Sequence, residues 1–99
     1  MIDRWAVIED IVLERIRQDR LKAEGRFKYT LADKNPGLQP AEALATLTEE
    51  LGEVARIVLE DDGLVQATAY TPLVGESNQR LYDELSQVAA LAVAWMEAL

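Results

Sequence analysis

The stretch Leu44-Ala45-Thr46-Leu47-Thr48-Glu49-Glu50-Leu51-Gly52-Glu53-Val54-Ala55-Arg56-Ile57-Val58 decides how this chain folds. Leu44, Leu47, Leu51, Val54 and Val58 alternate at three- and four-residue steps, a narrow heptad-like seam on one helix. At about 100° per residue, Glu50 falls about 60° from Leu47 and Glu53 about 120° from it on the same flank, which Ile57 continues. The two glutamates therefore border the seam. Glu49 lies nearly opposite Leu47, a position that solvent satisfies. A carboxylate beside a core is costly unless it is paired, hydrogen-bonded or bound to a metal.

A second acidic cluster, Asp83-Glu84-Leu85-Ser86-Gln87-Val88, repeats the arrangement. Its seam is Leu81, Leu85 (or Glu84), Val88, Ala92 and Trp95. Glu84 falls about 40° from Val88, inside the apolar stripe, and Gln87 shares that flank. Two such helices brought together converge several oxygens on one point. That donor set suits Mg²⁺, a hard cation that takes oxygen ligands and substrate phosphates.

Outward from these clusters, the chain divides into three helical stretches and two loops. Residues 3–24 carry Trp5, Ile8, Val12 (or Ile11), Arg15 and Ile16 at helical spacing, and Gly25 is a natural stop. Residues 25–39 hold Gly25, Asn35, Pro36 and Gly37 and read as a loop. Pro40 suits the first position of the second helix, which runs to about Asp61. Residues 62–76 form another loop, with Val65–Tyr70 as an optional extended piece. Ser77 or Asn78 can cap the third helix, which continues to the C-terminus. From Val88 to Met96 that helix is apolar almost all round, so it is buried on more than one side. Three helices in one short chain cannot cover it, which implies a partner subunit. Trp5 and Trp95 read as core or interface residues, and Gly52 as a point of close helix packing.

With 99 residues the chain is one domain, 1–99, and nearly half of its residues are apolar. It has no cysteine and no histidine, which excludes disulfides, thiolate or imidazole zinc sites and Ser-His or Cys-His nucleophile systems. Chemistry must rest on carboxylates, Lys and Arg, hydroxyls and a metal-activated water. No apolar run approaches the roughly 20 residues of a membrane span. The N-terminus, Met-Ile-Asp-Arg-Trp, lacks the features of a signal peptide. A cytoplasmic protein with no membrane role is the default. The net charge of −8 argues against nucleic-acid binding. The charge is uneven: residues 1–34 hold eight of the ten Lys/Arg and seven acids, while residues 35–99 hold two basic and eleven acidic groups. One half can hold a cation while the other meets an anionic ligand, or the N-terminal helix is simply solvated.

The pattern Glu49-Glu50-x-x-Glu53 followed by Glu84 resembles the signature of the MazG-like nucleotide pyrophosphohydrolases, members of the all-α NTP pyrophosphatase superfamily. The likeness is strongest over residues 40–99, in Leu47–Ala55 and in Glu84–Ala89 with Ala92-Val93-Ala94-Trp95. Glu14–Asp19 carries a weaker likeness. The resemblance implies an all-α fold: an antiparallel helical hairpin plus an N-terminal helix, assembling as a dimer or tetramer around a four-helix-bundle-like core. It also implies Mg²⁺-dependent (or Mn²⁺-dependent) cleavage of a nucleoside triphosphate to the monophosphate and pyrophosphate, a nucleotide-pool housecleaning activity. Glu50, Glu53 and Glu84 would ligate the metal, and Glu49 would ligate it or orient the attacking water, so that Glu49 and Glu50 are the catalytic pair. The fourth ligand position holds Gln87 where the family has aspartate, which weakens metal binding, and Asp83, one turn earlier, is a substitute source of charge.

Phosphate contacts would come from Arg17, Arg20, Lys28, Lys34 and Arg80, with Lys22 and Arg26 as further candidates. Phe27, Tyr29 and Asn35 are candidates for contact with the base. Acidic clusters of this kind also occur on solvated helix faces. The alternative reading is therefore a non-catalytic oligomeric helical module that binds a nucleotide or a protein, and Gln87 is its best support.

Overall fold

Three helices, α1 (Arg4–Ala23), α2 (Pro40–Glu60) and α3 (Gly75–Ala98), make up the fold among the described residues. The structure, a computed structural model, describes residues 3–33, 40–60 and 75–99, and no strand occurs among them. The expected end of the second helix at about Asp61, the extended piece Val65–Tyr70, Lys34 and Asn35 lie outside the described residues. No helix is long and apolar enough to cross a membrane, among the described residues.

Local chemistry sets the helix ends. The Asp3 side chain accepts a hydrogen bond from the Trp5 N–H at 2.7 Å and caps α1. At the other end Gly25 takes φ +77°, the left-handed conformation that glycine adopts without penalty. Its N–H donates to Lys22 O at 3.0 Å and the Arg26 N–H donates to Leu21 O at 2.8 Å. This Schellman pairing satisfies the last carbonyls of the helix. Pro40 opens α2, as its missing N–H and fixed φ favour. Helix α3 begins at Gly75, ahead of the expected cap, so Ser77 and Asn78 lie in its first turn.

Helix α3 is the middle of the molecule and packs against both α2 and α1, which do not pack on each other. Ala43 of α2 shares a buried cluster with Ala94 of α3, while Glu50 acts on Glu84, so chain numbers rise along one helix as they fall along the other. The α2–α3 pair is antiparallel. Leu31, from the segment after α1, completes the cluster, against which Leu91 and Trp95 pack.

The buried faces differ from the apolar stripes in the sequence. On α2 the packed face holds Ala43, Leu47, Glu50, Val54 and Ile57, one residue round from the expected seam. Leu44, Leu51 and Val58 are each more than half exposed. The turn of the helix moves Glu50 from the edge of the interface into it. Gly52 lies on the exposed face, and nothing among the described residues comes near its missing Cβ, so it makes no close helix contact with them. On α1 the buried residues are Arg15, Gln18 and Leu21, whereas Trp5, Ile8, Val12 and Ile16 point outward, Trp5 being 73% exposed. The reason is the polar fit of α1 on α3: the Arg15 guanidinium donates to Glu97 at 2.6 Å, and Tyr82 Oη donates to Asp10. On α3, Ala90 and Ala94 are fully buried. Val88, Leu91, Ala92 and Trp95 are half-buried, and Leu85 and Met96 are exposed.

Candidate functional site

The segment after α1 builds one wall of a cleft. Past Gly25 the chain doubles back and is pinned at Leu31, which is 1% exposed, and at buried Thr30. A turn follows: the Asp33 N–H donates to Thr30 O at 3.1 Å, and Lys22 Nζ donates to Asp33 Oδ1 at 2.6 Å. That Lys22 contact is the main reason the Asp33 carboxyl sits below its ordinary value of 3.8. Anchored at both ends, residues 26–29 present Arg26, Phe27, Lys28 and Tyr29 to a cleft of about 350 Å³. Thr30 and Leu31, Gln18 of α1, Thr46 and Glu50 of α2, and Leu91 of α3 line the rest of it. The Tyr29 hydroxyl lies 3.4 Å from the Thr46 hydroxyl and ties the segment to α2.

The carboxylates meet where α2 crosses α3. Burial pushes the Glu50 carboxyl above its ordinary value of 4.5, and the negative charges of Glu84, Glu49 and Glu53 push it further in the same direction. Glu84 is half-buried, and its Oε2 is enclosed with no hydrogen-bond partner among the described residues. Glu53 accepts a hydrogen bond from Arg56 at 2.7 Å, and Glu49 is exposed. As the side chains stand, no three acidic groups among the described residues gather closely enough to hold one metal ion. What the helices bring together is a pair, Glu50 and Glu84, with Glu49 and Glu53 close enough to be felt.

The remaining candidates divide between two faces of α3. Lys28 shares the cleft with Glu50. Arg17, Arg20, Asp83 and Gln87 instead line a groove of about 660 Å³ between α1 and α3. There Arg17 donates to Glu14 at 2.9 Å, Arg20 lies 3.9 Å from Glu24, and Asp83 accepts from Gln79 at 2.9 Å. Arg80 is exposed on α3, and Lys34 lies outside the described residues. Gln18 and Thr46 are cleft residues that sequence reasoning passed over. Gln18 stands one turn after Arg15, and the burial of Arg15 is the sign that this polar face of α1 packs inward.

Neither the protein-family models, nor the curated proteins, nor the solved structures contain a match to this chain. The chemistry of the cleft is that of its lining: the Glu50 carboxylate, the cations Arg26 and Lys28, the rings of Phe27 and Tyr29, the Gln18 amide and the Thr30 and Thr46 hydroxyls.

Proposed function

We propose that the chain is a Mg²⁺-dependent nucleoside triphosphate pyrophosphohydrolase of the MazG-like type, working in the cytoplasm on the nucleotide pool. The observation that carries this reading is the Glu50–Glu84 pair: a buried carboxylate oxygen without a donor beside a second carboxylate held above its ordinary pKa. Such a pair calls for a proton or a cation. Mg²⁺ (or Mn²⁺) fits the donor set, because one or two carboxylates usually hold it while substrate phosphates and waters complete the shell. Glu50 and Glu84 would hold it, with Glu53 joining on release from Arg56. Gln87, on the far groove, is the least supported of the ligands.

When bound, Mg²⁺ neutralises phosphate charge and acidifies the attacking water. Lys28 and Arg26 on the rim hold phosphate oxygens. Glu49 would orient that water and take its proton, while Glu50 stays on the cation. The water oxygen bonds to the α-phosphorus, the bond from that phosphorus to the bridging oxygen breaks, and pyrophosphate leaves. The uncovered stripes Trp5-Ile8-Val12-Ile16 and Leu44-Leu51-Val58 support self-association as a dimer or tetramer, because a small chain seldom leaves two such faces in water.

Pyrophosphate release measured over a panel of nucleoside triphosphates with Mg²⁺ tests the reading. Turnover that requires metal and falls at least tenfold in Glu50→Gln is expected, whereas wild-type protein inactive on every nucleotide refutes it. The second reading, a module that binds without turnover, is favoured by the neutral residue at position 87 and by the spread of the acidic groups. Metal-independent nucleotide binding without pyrophosphate release is its signature.

A further inference from the structure

We infer that Gln18 is the specificity residue of the cleft, and that its side-chain amide reads the hydrogen-bonding edge of a nucleobase lodged between α1 and the segment 26–29. This deepens the nucleotide reading above and rests on it. Gln18 is 4% exposed, yet its Oε1 has no hydrogen-bond partner among the described residues. Buried polar atoms are nearly always paired, so an orphan on a residue that lines an open cleft points to a donor that arrives with a ligand. The cleft that Gln18 lines also holds the apolar and aromatic side chains of Phe27, Tyr29 and Leu91. A planar heterocycle matches those walls, and its volume of about 350 Å³ is within the usual range for small-molecule sites.

The primary amide carries an acceptor and a donor side by side. Nucleobases present the complementary donor and acceptor on adjacent atoms. Sugar and phosphate would lead from there toward Lys28 and Arg26 on the rim and toward Glu50, which lines the same cleft. A site built to pair with a polar edge rejects ligands without that edge strongly, because its own buried group is then stranded.

Calorimetric titration of the full chain in EDTA tests this with uridine, cytidine, adenosine and guanosine monophosphates and with ribose 5-phosphate, which lacks a base. One monophosphate is expected to bind at least tenfold more tightly than the others and than ribose 5-phosphate. Gln18→Leu is expected to erase that preference and to leave ribose 5-phosphate affinity unchanged. Gln18→Glu, which keeps the acceptor but not the donor, is expected to alter the rank order. In the wild type, the Gln18 side-chain amide resonances should shift on adding the preferred monophosphate. An unchanged rank order in the variants, equal binding of every probe, absence of binding, or amide resonances that do not move would overturn the proposal. Metal-dependent pyrophosphate release alongside any of these would show that the catalytic reading survives without it. Gln18-dependent base preference in a protein that releases no pyrophosphate would show the reverse.

Discussion

Helix α3 meets α1 and α2 through two interfaces of opposite chemistry. Against α1 the charges are paired: Arg15, 8% exposed, donates to Glu97 and to Asp19, each at 2.6 Å, and Tyr82 donates to Asp10. Against α2 the packing is apolar and the charges are unpaired: Glu50 and Glu84 repel across the contact, and one Glu84 oxygen has no donor among the described residues. Paired charges inside a fold fix how the helices meet and have little left to offer a ligand. Unpaired charges of one sign add nothing to the metal-free fold and are useful only when something positive arrives. The same helix thus carries a structural face and a reactive one.

The largest expected effect falls on the reactive face. Glu84→Gln and Glu50→Gln should each lower pyrophosphate release by roughly tenfold or more, since an interaction with the bound cation is lost in the transition state. Each should also raise the melting temperature of the metal-free protein, because one source of repulsion disappears. Steady-state rates and thermal melts in EDTA read the two effects separately, and a variant that loses both activity and stability would place the residue on the structural side of the comparison.

The structural face should respond in the opposite way. Arg15→Met removes charged hydrogen bonds to Glu97 and Asp19, with an expected loss of about 1.5–3 kcal/mol. Denaturant titration should show that loss, while metal affinity stays as in the wild type. Gly25→Ala is smaller. No atom of the described residues lies within 4 Å of the added Cβ, so the cost is the backbone alone, about 1 kcal/mol for a left-handed residue. A melt should show a drop of several degrees with the Lys28–Glu50 cleft still able to bind ligand.

The pH dependence separates the two kinds of carboxylate. Glu50 has a raised pKa in the folded protein, so the metal-free fold holds this proton where the unfolded chain has released it. Stability should fall as pH rises from 4.5 through the raised value, and Glu50→Gln should flatten that part of the profile. Asp33 has a lowered pKa through Lys22. Its contribution is present above its ordinary value of 3.8 and is lost as pH falls through the lowered one. Denaturation curves across pH 2 to 7 should show both slopes, with opposite sign.

The sequence was most legible where one residue governs local geometry. Gly25 and Pro40 mark the end of α1 and the start of α2 because one permits positive φ and the other lacks an N–H. The placement of Glu50 and Glu84 near one another followed from their position beside apolar stripes. Which stripe faces inward was less legible. On α2 the sets 44-51-58 and 43-50-57 are one residue apart, and either satisfies helical spacing. On α1 the more apolar stripe is the outward one, since Arg15 and its partner Glu97 lie 82 residues apart in sequence and no local pattern links them. Gln18 was hidden for the same reason: a glutamine on what reads as a polar face gives no sign that the face packs inward.

The most direct measurement is a Mn²⁺ titration followed by NMR, in which a bound paramagnetic ion broadens the signals near it. Selective broadening of Glu50, Glu84 and their neighbours in the α2–α3 contact, with Arg15 and Glu97 left sharp, is the expected result. Broadening that spares Glu50 and Glu84, or that is centred on the α1–α3 groove around Asp83 and Gln87, would contradict the assignment of the unpaired carboxylates as the metal site.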